Sequence, residues 1–298
     1  MTAALAAAIG YATAQDKAAS QPAAAAKPAG AAGEAAKRGE YLAKAGGCLG
    51  CHTVDKPGAI PYSGGRELKT PFGTFYGPNI TPHPQAGIGK WTEQDFIRAM
   101  RQGRRPDGAN YFPAFPYPSF TGINDADLRD LWAYLRTLPQ SSEASRSHDL
   151  PFYFRWRFLL TFWKWLFFTP GPFAPIPGAS EVINRGAYLV RALGHCGECH
   201  TPRNFLGAVK RDRYLAGTAE ASNLTPTGLK KWGDSELKDF LTTGTTPDGD
   251  VPAEDMGEVI RNTTSQLTAQ DLSAMIAYLR TLPAVADEPG KKSEPKKK

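Results

Sequence analysis

The chain has 298 residues, of which 41% are hydrophobic and 21% charged, and 35 Lys and Arg against 29 Asp and Glu give a formal net charge of +6. That length is too great for one small domain and suits two of about 100 to 150 residues. The basic balance would suit an acidic partner, a membrane surface or nucleic acid, but much of it is concentrated in a terminal run containing Lys291, Lys292, Lys296, Lys297 and Lys298, and such a run reads as a solvated end; nucleic acid is not expected as a partner.

In chain order, residues 1–14 are small and apolar and end in Ala12-Thr13-Ala14. They fit the cleavage site of an export signal, although the positively charged start is missing. Residues 15–36, rich in Ala, Gly, Pro and Lys, read as a flexible spacer. Residues 37–140 then form one module, 141–180 a connector, 181–284 a second module and 285–298 a basic disordered tail. The two modules are a tandem repeat. Arg38-Gly39 with Tyr41-Leu42 recurs as Arg185-Gly186 with Tyr188-Leu189, Asn79-Ile80-Thr81-Pro82 as Asn223-Leu224-Thr225-Pro226, and Pro106-Asp107-Gly108 as Pro247-Asp248-Gly249. Each module closes on an amphipathic helix with Leu128, Leu131, Trp132 and Leu135, or Leu272, Met275, Ile276 and Leu279, at helical spacing. Asn124 with Asp127, and Thr268 with Asp271, mark capping boxes at the helix starts. A further helix is predicted from about Glu93 to Gln102 before Gly103. No period-two alternation argues for a sheet, so the class is all-α.

The four cysteines all lie in two copies of one pentapeptide, Cys48 to His52 (CLGCH) and Cys196 to His200 (CGECH), which leaves none for a disulfide or a cysteine nucleophile. C-x-x-C-H is the attachment signal of c-type haem. Cysteines one helical turn apart reach the two vinyl groups, and the adjacent histidine reaches the iron. Zinc or a thioredoxin-like pair would use the same cysteines, but neither accounts for a histidine directly after the second cysteine twice over. Two covalently bound haem c are therefore expected, at Cys48, Cys51 and His52 and at Cys196, Cys199 and His200. Met256, seven residues after Gly249 and read as lying in a loop, is the candidate sixth ligand of the second haem. The same count in the first module lands on Phe115. For that haem His148, His83, Tyr111 or an open iron stay as alternatives, while Met100 and Met275 read as packing residues.

Thr70-Pro71-Phe72-Gly73-Thr74, Asn79-Ile80-Thr81-Pro82, Gly87-Ile88-Gly89 and the segment Tyr111 to Tyr117 resemble the cytochrome c subunits of bacterial alcohol, gluconate and sugar dehydrogenases and related diheme cytochromes. The resemblance covers residues 37–284. It implies two class I cytochrome c-like domains and a chain that takes electrons from a dehydrogenase and passes them to a quinone, a cytochrome or a terminal oxidase. A periplasmic place is expected, with attachment to the outer face of the cytoplasmic membrane left open. Members generally carry a methionine within or just after the proline-rich segment, where this chain has Phe115 and Ile123, and many hold three haems rather than two.

The connector contains the most aromatic stretch of the chain, residues 150–173. With Arg155, Arg157 and Lys164 inside it, it is short and charged for a membrane span. It is expected to pack between the modules or to lie at the headgroup level of a membrane. Most weight falls on electron transfer without substrate chemistry. The enzymatic alternative is a diheme peroxidase using an open first iron, and an anchoring subunit that docks a dehydrogenase to the membrane is a third reading.

Overall fold

A computed structural model describes residues 29–249 and 252–287. The expected export signal, residues 15–28 of the spacer and residues 288–298 of the tail lie outside the described residues. The fold is mostly helical. Helix α1 runs Ala29–Ala45 and α2 is the first pentapeptide, Cys48–His52. After a hairpin come α3 (Glu93–Gln102), α4 (Tyr117–Phe120), α5 (Asp125–Leu135) and α6 (Leu159–Phe167). The second half holds α7 (Glu181–Tyr188), continued by a π-helical turn over Leu189–Leu193, then α8 (Gly197–His200) and α9 (Pro226–Leu229). Helices α10 (Asp234–Thr243), α11 (Glu254–Asn262) and α12 (Ala269–Thr281) complete it.

Residues 29–36, read as spacer, belong to α1. Alanine is the strongest helix former as well as a common linker residue, and Ala35 is already buried at 4% exposure. The helix is held because it has something to pack on: α1 lies against α5, as α7 lies against α12. Both crossings are close enough to require glycine. A Cβ on Gly39 would stand 1.9 Å from the Asp130 carbonyl oxygen, and one on Gly186 would stand 1.9 Å from that of Ala274. The neighbouring arginines tie the same helix pairs. Arg38 Nε donates to Asp130 Oδ2 at 2.6 Å and Arg185 Nε to Asp271 Oδ1 at 2.8 Å.

The all-α expectation needs one correction, an antiparallel hairpin of β1 (Glu67–Thr70) and β2 (Gly73–Tyr76) with Thr70 opposite Gly73. Strands of four residues are too short to register as an alternating pattern. Pro71 and Phe72 make the turn, Gly73 leaves it at φ 120°, and Asp149 adds a bridge by exchanging backbone hydrogen bonds with Thr74 at 2.9 Å.

Helix α3 begins in a full capping box, with Thr92 accepting from Asp95 N and Asp95 Oδ2 accepting from Thr92 N, and stops at Gly103 in the left-handed conformation. The core is continuous across the two halves. Leu42, Phe96, Met100, Leu128, Leu131 and Leu135 join Leu189, Leu193, Met275, Ile276 and Leu279 in one buried cluster, so Met100 and Met275 are packing residues.

Residues 150–173 divide between inside and outside. Phe154 packs edge-on to Phe72, Phe168 to Tyr117 and Phe173 to Tyr188, whereas Phe158, Phe162 and Trp165 are exposed. The segment is thus covered in part and exposed in part.

Candidate haem-attachment sites

The two pentapeptides are local helical turns entered in the same way. The residue before each first cysteine has positive φ, Gly47 at 61° and His195 at 40°. That kink turns the chain out of the preceding helix into α2 and α8. Glycine takes the conformation without strain; His195 does so against the steric cost of its Cβ.

His52 Nδ1 lies 2.7 Å from the Pro78 carbonyl oxygen, and His200 Nδ1 lies 2.7 Å from that of Ser222. A carbonyl can only accept, so the ring proton sits on Nδ1 and Nε2 is the basic nitrogen of each imidazole. This is the tautomer an axial ligand needs, with its orienting partner already in place. Burial pushes His52 below its ordinary pKa, which keeps the ring neutral. The four thiols carry no disulfide; burial pushes Cys48 and Cys196 up to about 12 and Cys51 up to about 11. Paired reduced thiols beside an oriented imidazole are a donor set that fits a covalently held haem at both places.

The repeated Asn-x-Thr-Pro motif secures these carbonyls, a role the sequence pattern alone did not disclose. Asn79 directly follows Pro78. Its Nδ2 donates to the carbonyls of Ser141 and Glu143 at 2.9 and 2.8 Å, and its Oδ1 accepts from Thr81 N at 2.9 Å. Asn223 follows Ser222 and does the same with Val285 O, Asp287 Oδ1 and Thr225 N, at 2.9, 2.9 and 2.8 Å. Residues 285–287, read as the start of a disordered tail, are therefore fixed to the second site, and the first is clamped by residues just beyond 140.

Met256 lies on α11 rather than in a loop, because the Glu254 to Asn262 run forms a helix after Ala253. It is half-buried. Its helix packs beside the first pentapeptide, where the charge of Glu258 acts on Cys51, while that of Asp255 reaches Cys199.

His148 does not share the geometry of the two proximal histidines. Its Nδ1 accepts from Tyr76 N at 3.2 Å, which places its proton on Nε2, and the ring is held edge-on to Phe75 and Phe112. His83 is committed in the same sense, Nδ1 accepting from Ala86 N at 3.0 Å. Binding iron through Nε2 would require either ring to exchange its proton and abandon that bond. Tyr111 is pushed up to about 12 by burial, so it holds its proton at neutral pH. Phe115 packs with Tyr111, Tyr117 and Phe120.

Contacts between the halves were not foreseeable from either half alone. The His195 ring meets Phe120 edge-on. Ser119 Oγ donates to Glu198, inside the second pentapeptide, at 2.6 Å. A Cβ on Gly50, the matching position of the first, would lie 3.1 Å from Glu258 Oε1, and Arg66 pairs with Glu258 at 2.5 Å. Each attachment turn is thus covered by a segment of the opposite half.

The cytochrome c family model matches residues 36–139. A diheme cytochrome c-type protein of Cereibacter sphaeroides is 44% identical over 251 residues, covering 81% of this chain and 83% of that protein. The chain belongs to the diheme c-type cytochromes. As a member it carries two covalently bound haem c and serves electron transport. The diheme cytochrome is also similar to the fructose dehydrogenase cytochrome subunit of Gluconobacter japonicus, 40% identical over 83% of this chain and 52% of the subunit. The cytochrome c subunit of the quinone alcohol dehydrogenase of Gluconobacter oxydans is 38% identical over 83% of this chain and 55% of the subunit. The chain spans about half the length of these dehydrogenase subunits.

Proposed function

We propose that the chain is a paired-haem electron carrier in which Cys48, Cys51 and His52 hold one haem and Cys196, Cys199 and His200 the other, with Met256 as sixth ligand of the second. Its two halves are read as two class I cytochrome c-like domains, 37–140 and 181–284, joined by the aromatic connector 141–180, with α1 extending the first domain back to Ala29. Bound haem iron supplies a one-electron Fe(II)/Fe(III) couple, and a thioether ligand favours the reduced form. What the chain's own residues contribute is placement: two attachment turns, each covered by the opposite half, held in one continuous core.

The observation that carries this reading is the pair of His Nδ1 to carbonyl contacts at 2.7 Å, from His52 to Pro78 and from His200 to Ser222. The same orientation of the same nitrogen twice, beside two reduced thiols each time, is what proximal ligation demands. The donor is read as a dehydrogenase, in keeping with the dehydrogenase cytochrome subunits to which the chain is similar, and the acceptor as a quinone, a cytochrome or a terminal oxidase. The place of work is the periplasm, at the outer face of the cytoplasmic membrane. A peroxidase reading is not adopted, because the rings around Phe115 present no group that exchanges a proton near neutral pH.

A pyridine haemochrome assay on protein matured in a competent host tests the assignment. Two haems per chain are expected for the wild type, and one each for Cys48→Ser with Cys51→Ser and for Cys196→Ser with Cys199→Ser. Unchanged haem content in either pair would overturn it. Replacing Met256 by His tests the sixth ligand: one midpoint potential falls while the other stays.

A further inference from the structure

We infer that α6 and the adjoining Phe205-Leu206 loop form a docking face for an anionic phospholipid surface, with the helix lying flat in the headgroup region. The inference is independent of the haem assignments. Its basis is a helix built inside out. A surface helix normally turns its apolar stripe to the core and its charges to water. Here the polar stripe of the segment, Arg157, Thr161 and Lys164, faces the protein. Lys164 Nζ donates to the carbonyls of Gln102 and Gly103 and to Asn110 Oδ1, each at 2.8 Å, and sits over the Tyr117 ring. Arg157 donates to Asn110 O at 3.0 Å with its guanidinium over Phe112, and Thr161 Oγ1 accepts from Asn110 Nδ2 at 3.0 Å.

The apolar stripe at the complementary positions faces out. Phe158 is 62% exposed, Phe162 63% and Trp165 82%, with Leu166 beside them. Trp163 Nε1 donates to Leu206 O at 2.9 Å, which joins a second loop to this face and brings up Phe205, 88% exposed. A helix whose cations are fixed by hydrogen bonds underneath cannot roll over to hide these rings without breaking them.

Charge favours an anionic lipid surface as the occupant. Residues 150–173 contain no Asp or Glu to repel an anionic surface. Arg104 acts on Lys164 from one side, and Arg211 donates to Phe167 O from the other. Asp212 stands against them, while Asp107 is paired with Arg105 at 3.0 Å, so the rim is net positive. Tryptophan, phenylalanine and leucine over a basic surface are the composition of helices that lie at the membrane interface. Nine residues rise only about 13 Å, far short of the ~30 Å hydrocarbon core, and among the described residues no helix is long and apolar enough to cross a membrane.

The test is flotation of the full haem-loaded chain with vesicles of phosphatidylglycerol and phosphatidylcholine, against vesicles of phosphatidylcholine alone. The wild type is expected to float with the anionic vesicles and to bind the neutral ones more weakly. Phe162→Ser with Trp165→Ser is expected to bind at least about tenfold more weakly, through lost apolar insertion. Both side chains are exposed, and an unchanged visible spectrum shows that the variant is folded. Hydrogen exchange on the wild type should show α6 protected by anionic vesicles. Failure to float on anionic vesicles would overturn the inference. So would undiminished flotation of the double variant, which would assign binding to the lysine-rich C-terminus, or self-association through these rings without flotation, which would make the occupant a second copy.

Discussion

The phenol of Tyr41 stands inside the N-terminal cap of α12: it donates to Asp271 Oδ2 at 2.5 Å and accepts from the backbone N–H of Thr268 at 3.2 Å. In an ordinary capping box that N–H would be taken by the carboxylate itself. Tyr188 enters the cap of α5 in the same way, donating to Asp127 Oδ2 at 2.6 Å and accepting from Asn124 N at 3.4 Å. The two tyrosines occupy matching positions in the two halves, so the closing helix of each half is capped by the opening helix of the other.

Tyr41→Phe removes one donor to a carboxylate and leaves the Thr268 N–H without its acceptor. A loss of about 1–3 kcal/mol is expected, in the range for a hydrogen bond to a charged group. Tyr188→Phe should cost a similar amount. Urea denaturation of the haem-loaded protein checks both, and the double variant shows whether the halves are held cooperatively. If both single variants unfold at the wild-type midpoint, these caps are dispensable.

Asp271 gives the same interface a pH dependence. Burial pushes its carboxyl up, but the hydrogen bonds from Arg185 and Tyr41, together with the Arg185 charge, more than offset this and hold it below its ordinary value. A carboxylate with a depressed native pKa contributes stability that is complete above the unfolded value, about 4, and is lost as pH falls through the native one. Wild-type stability should therefore drop on acidification below about pH 5, through protonation of this and other paired carboxylates. Asp271→Asn should be less stable at neutral pH and should lose less on acidification. Urea midpoints measured from neutral pH down to about pH 3 decide it.

His195 carries two opposed contributions. Its left-handed backbone costs about 1 kcal/mol relative to a relaxed residue, while its ring supplies the edge-on contact with Phe120 between the halves. His195→Ala keeps the strain and removes the ring; His195→Gly removes both. The alanine variant is therefore expected to be the less stable of the two by about 1 kcal/mol, and both should fall below wild type. An alanine variant as stable as the glycine one would mean that the backbone conformation is not what the position is built around.

How much of this was legible in the sequence depended on whether the signal was local. The pentapeptides, α3 with its Gly103 stop, and the closing helices with their spaced leucines are all set within a dozen residues. The start of α1 was hidden because alanine and glycine read equally as linker. The hairpin was hidden because its strands are four residues long, and the helix under Met256 because it follows a Pro- and Gly-rich loop. The caps of Tyr41 and Tyr188 were out of reach for a different reason. The partner of Tyr41 lies 230 residues away, and only the packed halves bring the two together. The repeat announced Asn79 and Asn223 as paired without saying what they do.

Their geometry makes the last prediction. Asn79 is 2% exposed and fixes the loop whose preceding carbonyl, that of Pro78, orients His52. Asn79→Ala leaves the carbonyls of Ser141 and Glu143 and the Thr81 N–H without that partner, at a cost of about 1–3 kcal/mol for each buried group not rescued by water. A merely structural role would stop there. If Asn79 positions the carbonyl, the variant should also weaken the His52 Nδ1–H bond. A weaker bond makes the imidazole a poorer donor to iron and shifts the midpoint potential of the first haem while leaving the second in place. Asn223→Ala should shift only the second, through Ser222 and His200. Spectroelectrochemical titration of each variant separates the two outcomes: loss of stability with both potentials unchanged would reduce the asparagines to loop clamps.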